Sequence, residues 1–181
     1  MVRGGVRERP NRHAWKACEV KASVGSNPTP SAMVNVESAM VLALDEARKA
    51  ALQGEVPVGA VMLHRGKVIA QSGNRRELSA DPLGHAELLV IREAALHLGT
   101  WKLVECTLVV TLEPCIMCAG AILNGRIPQL VFGAFDLEAG ACGSRYNVLD
   151  DPRLNHQVMV NGGQMNKDCS NVLADFFANR R

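Results

Sequence analysis

The sequence predicts an α/β fold layered around a mixed central sheet of about five strands, and three observations predict it. Beyond residue 33, short apolar runs with strand character alternate with segments whose apolar residues recur at helical spacing. The first two strand candidates are joined by the two-residue turn Arg65-Gly66, so the series opens on a hairpin before the alternation begins. With 181 residues, 48% of them hydrophobic and 21% charged, the chain can bury one core and fits a single domain.

Each element follows from its own pattern. Val36, Met40, Leu44 and Ala47 recur at helical spacing with Glu37, Asp45, Glu46, Arg48 and Lys49 on the opposite face, which makes an amphipathic helix closed by Gly54. Residues 56–63 read as a strand and 67–70 as its hairpin partner. A polar loop over 72–83 leads to a helix over 87–98 and a buried strand over 107–111. Then come a helix over 116–124, an apolar strand over 129–135, a Gly-rich loop over 138–151, a short strand over 156–160 and a last helix over 167–178. No segment repeats another.

Composition excludes several classes of function. Aromatic residues are 4% of the chain, too few for a broad base-stacking platform. No apolar run approaches the ~18–20 residues needed to cross a bilayer, so a soluble intracellular protein without membrane contact is expected. Residues 1–32 hold six Lys and Arg against two Glu, a charge of +4, whereas the remainder holds 14 basic against 16 acidic residues, a charge of −2. Nucleic acid would therefore be bound through a local patch, not an overall positive field.

Two motifs carry chemistry: His85-Ala86-Glu87 and Pro114-Cys115-Ile116-Met117-Cys118. Both fall where a loop or strand turns into a helix. There the helix dipole favours a thiolate at Cys115, with Cys118 one turn on along the same face. His85, Cys115 and Cys118 make a His/Cys/Cys set with the fourth position open. That is the pattern of a catalytic zinc site, since structural sites close with four protein ligands. Glu87 is placed to move protons for metal-activated water. A thioredoxin-like dithiol would leave His-x-Glu unexplained. Cys18, Cys106, Cys142 and Cys169 stand singly and are read as buried or inert thiols.

The pairing His-x-Glu with Pro-Cys-x-x-Cys is the signature of the zinc-dependent cytidine-deaminase superfamily. The chain resembles its bacterial tRNA-specific adenosine deaminases through Glu55-Val56-Pro57-Val58-Gly59, Gly73-Asn74-Arg75, Asp81-Pro82, Thr111-Leu112-Glu113-Pro114, Leu154-Asn155-His156 and Asp175-Phe176-Phe177. The resemblance implies a three-layer α-β-α cytidine-deaminase-like fold over residues 33–181. It also implies one Zn2+ per chain on His85, Cys115 and Cys118, with Glu87 as the proton carrier, and conversion of adenosine to inosine at the wobble position of a tRNA anticodon stem-loop. Asn74 and Val58 would contact the base, Asp136 and Asn155 the flanking nucleotides, and Phe177 an apolar wall; a homodimer is implied as well. Leu83-Gly84 and Phe135 depart from the family pattern, which has a small polar residue with Ala and a polar or basic residue there. A deaminase of free cytosine or guanine, and a zinc-stabilised binding module without catalysis, are the competing functions.

Residues 1–32 lack periodicity and end in a run of turn formers. They are expected to be a disordered extension. Val24-Gly25-Ser26-Asn27-Pro28-Thr29 can be back-translated as GTC GGT TCG AAT CCG ACC, which folds like the T-arm of a tRNA gene. Translation is accordingly expected to start at Met33 or Met40; a basic tRNA-holding arm and a transit peptide are the alternatives.

Overall fold

The computed structural model describes residues 33–178 and residue 180; the expected extension, with Cys18, lies outside the described residues. Among the described residues, four helices and five strands follow in the order α1 (Val36–Leu52), β1 (Gly59–His64), β2 (Lys67–Gly73), α2 (Ala86–Leu98), β3 (Cys106–Leu112), α3 (Ile116–Asn124), β4 (Gln129–Ala134), β5 (Met159–Asn161) and α4 (Asn166–Ala178). The sheet order is β2-β1-β3-β4-β5. β1 pairs antiparallel with both β2 and β3, whereas β3–β4 and β4–β5 are parallel, so the sheet is mixed as the hairpin and the later alternation predict.

Local chemistry explains the element ends. Asn35 caps α1 by accepting from Ser38 N at 2.8 Å, and Glu37 and Lys49 sit at the dipole ends that favour their charges. Arg65 and Gly66 both have positive φ, 51° and 75°, the backbone that a two-residue hairpin turn of matching twist demands. Three strand limits differ from the sequence reading by three residues, and the others by one at most. β1 starts at Gly59 and not residue 56, β2 continues to Gly73, and the last strand is Met159–Asn161 and not 156–160. In each case apolar character and pairing part company: Pro57 has no N–H for the ladder, and His156 spends its ring on Ile127 O at 2.8 Å.

Two apolar cores flank the sheet and make three layers. Ala86, Val90 and Ala94 of α2 and Ala119 and Ile122 of α3 pack on Met62, Leu108, Val110, Leu130 and Phe132. On the other face Ala39, Met40, Ala43 and Leu44 of α1 and Cys169 of α4 pack on Val61, Leu63, Val109 and Val131. The period-2 alternation of strand side chains divides β1, β3 and β4 between the two cores. α1 lies so close to the sheet that a Cβ on Gly59 would stand 2.0 Å from Ala43 O. No helix among the described residues is long and apolar enough to cross a membrane.

Candidate active site

The carboxyl ends of the parallel strands β3 and β4 point to one end of the sheet, where crevices form in open α/β folds. The antiparallel partners bring the start of β1 and the end of β2 to the same end. A cleft of about 190 Å³ opens there, lined among others by Val58, Asn74, His85, Glu87, Cys115 and Asp136.

His85 and Cys115 are the N-cap residues of α2 and α3, and neither side chain caps its own helix. Both are thereby free to face each other. His85 Nδ1 lies 3.8 Å from Cys115 Sγ and 3.6 Å from Cys118 Sγ, and the three donor atoms all lie within 4.8 Å of one another. Zinc bonds of about 2.3 Å to sulfur and about 2.0–2.1 Å to nitrogen give a tetrahedral N–S edge of about 3.6 Å. The donor set therefore fits a tetrahedral ion in both chemistry and spacing. Hydrogen bonds from Cys118 and from the His85 ring pull the Cys115 thiol down to about 4, while the bond to Cys115 and burial push Cys118 far up. The His85 ring is raised by its bond to Cys115. Both sulfurs would bind a cation as thiolates, so binding would release protons.

Glu87, in the first turn of α2, is 4% exposed, and its burial raises its carboxyl above the ordinary value. A carboxyl raised in this way beside the His85–Cys115–Cys118 cluster can both accept and return a proton.

Asn74 and Val58 meet on one wall, where Asn74 N donates to Val58 O at 2.9 Å. Asp136 also lines the cleft and accepts from Glu138 N and Ala139 N through Oδ1, at 2.9 and 3.0 Å. The structure does not bring Asn155 and Phe177 to this cleft. Asn155 is held by Arg126 beyond the far end of α3, about 14 Å of helix away from Cys115. Phe177, half-exposed on α4, stands edge-to-face with Phe176. Cys106, Cys142 and Cys169 are buried, and burial raises them to about 11, 12 and 11, as expected for inert thiols.

Two carboxylates were missing from the sequence-derived set. Glu55 accepts from Asn74 Nδ2 at 3.0 Å and from Leu78 N at 2.7 Å. Glu113 accepts from Asp136 N, Cys142 N and Ser144 N at 3.0–3.1 Å and from the Ser144 hydroxyl, pinning the loop that carries Asp136. Gly140 belongs to this arrangement, because a Cβ there would stand 2.5 Å from the Glu113 carboxyl carbon. The available signal was a charged residue set among apolar ones, in Glu55-Val56-Pro57 and Leu112-Glu113-Pro114.

A family model for MafB19-like deaminases matches residues 34–181. The tRNA-specific adenosine deaminase of Bacillus subtilis (strain 168) is 46% identical over 149 residues, covering 82% of this chain and 92% of that protein. A solved structure from a study of A-to-I editing by tRNA:A34 deaminases at the wobble position superposes with a TM-score of 0.72 at 44% identity, covering 75% of this chain and 98% of that one. The guanine deaminase of Bacillus subtilis superposes less closely, with a TM-score of 0.56 at 29% identity over 81% of this chain and 94% of that one.

Proposed function

This chain belongs to the tRNA-specific adenosine deaminases of the MafB19-like deaminase family, and on that premise we propose that it converts adenosine to inosine at the wobble position of a tRNA anticodon loop. The observation that carries the reading is the His85–Cys115–Cys118 cluster with a buried carboxyl, Glu87, lining a cleft of about 190 Å³. The domain is residues 33–181, and the work is done in the cytoplasm by a homodimer.

His85, Cys115 and Cys118 would hold one zinc ion per chain, which supplies the Lewis acidity that makes water a nucleophile near neutral pH. Glu87 takes the proton that water loses on attacking C6 and delivers it to N1 of the base. A second transfer through the same carboxyl carries the proton of the new C6 hydroxyl to the 6-amino group, the C6–N6 bond breaks as the C6 carbonyl forms, and ammonia leaves with inosine as the product. Burial raises the Glu87 carboxyl above its ordinary value and so favours its taking up a proton, the first half of this shuttle. Val58 packs on the purine, Asn74 hydrogen-bonds the nucleoside and Asp136 faces a flanking nucleotide. Asn155 and Phe177 stand outside the cleft, so any contact they make is to RNA beyond the reacting base. An anticodon loop suits such a cleft, since its bases are unstacked without opening a duplex.

Incubation with bulk tRNA, followed by nucleoside analysis, should give inosine, while free adenosine, guanine and cytosine release no ammonia. Ammonia from free guanine or cytosine with no inosine in tRNA would replace this reading with a free-base deaminase.

A further inference from the structure

Glu55 is a carboxylate only 1% exposed, and the proton chemistry above gives it no task. Both its oxygens are committed, Oε1 to Leu78 N and Oε2 to Asn74 Nδ2. A carboxylate accepts hydrogen bonds and does not donate them, so the Asn74 amide must turn its nitrogen toward Glu55. The backbone of Asn74 is held at the same time by Val58 O, so one short segment, residues 55–58, anchors Asn74 at two points. Asn74 Oδ1 bonds no described residue, and no buried side-chain oxygen or nitrogen is left without a partner among the described residues. Oδ1 is therefore open to the cleft that Asn74 lines.

We propose that Glu55 is a positioning residue that fixes the polarity of the Asn74 amide, so that this wall of the cleft offers an acceptor to an N–H or O–H of the bound nucleoside. The proposal rests on Asn74 touching substrate, as in the reading above, and the two can fail separately.

The test uses the zinc-loaded full chain and an anticodon stem-loop. Asn74→Ala examines the underlying contact: kcat/KM equal to the parent would remove Asn74 from the substrate site, and the proposal with it. In Glu55→Gln, the new amide oxygen can keep Leu78 N while its nitrogen faces Asn74, which then turns over and presents a donor to the cleft. One mismatched polar contact should lower kcat/KM by about 10–100-fold, mainly through KM, with zinc content and Tm unchanged. The double variant Glu55→Gln/Asn74→Asp restores an acceptor to the cleft and should recover to within about tenfold of the parent. Asn74→Asp alone sets two carboxylates in contact and should be worse than the double variant, a comparison that still decides if Glu55→Gln does not fold. Parent-like kcat/KM in Glu55→Gln, or a double variant no better than Asn74→Asp alone, overturns the proposal.

Discussion

Glu87 and Glu113 are both buried carboxyls near the ligand cluster, yet their surroundings push them in opposite directions. For Glu87 burial outweighs the contacts that favour its charge and raises it, which suits proton transfer. Glu87→Gln should keep the fold and the metal but lose about 10²–10⁴-fold in turnover, read as inosine per minute at saturating stem-loop. Wild-type turnover would remove Glu87 from the chemistry. Glu113 is also raised by burial, but donors from Ser144, Asp136 and Cys142 outweigh that and hold it below the ordinary value. A depressed folded-state pKa means that its contribution is present above the unfolded value of 4.5 and is lost as pH falls through the folded one. Glu113→Gln should thus cost about 1.5–3 kcal/mol at pH 7, with the gap to the parent closing as melting is repeated below pH 4.5. A gap that stayed constant down to pH 2 would mean that the ionised carboxylate is not what holds the loop.

At the scale of elements, α1 and the hairpin β1–β2 depend on close approach. A Cβ on Gly59 would also stand 2.6 Å from Ala47 N, and one on Gly73 would stand 2.7 Å from Glu46 O. Gly59→Ala must lift α1 or shift β1, at a cost of about 1–3 kcal/mol, or several degrees in Tm. Because β1 follows directly on the segment carrying Glu55 and Val58, the same substitution should weaken stem-loop binding while leaving bound zinc unchanged. The helices were plainly legible in the sequence, because their apolar stripes are long and their ends carry Asn, Gly and charge signals. Strand limits were less so. Val56 and Val58 have strand character, but Pro57 between them cannot donate to a ladder, and residues 156–160 hold a histidine whose ring is used elsewhere.

Across the whole molecule, the gathering of His85, Cys115 and Cys118 could be read directly because their types and spacings are rare in combination with His-x-Glu. Asn155 and Phe177 came from sequence blocks alone, and the fold sets them beyond the cleft because neighbours in a motif need not be neighbours in space. Glu55 and Glu113 stayed hidden for the converse reason, since their partners lie 19 to 31 residues away. That long-range closure has a thermodynamic side. His85 and Cys115 are 30 residues apart, and the intervening chain includes α2 and β3. An ion gripping both ends turns that stretch into a closed ring, a reversible cross-link that lowers the conformational freedom of any state in which it survives. Binding the native state alone also stabilises it by mass action. Stripping the ion with a chelator should therefore lower Tm even in Glu87→Gln, which turns nothing over, and adding zinc back should restore it. No change would mean that packing by itself keeps the two helix starts together.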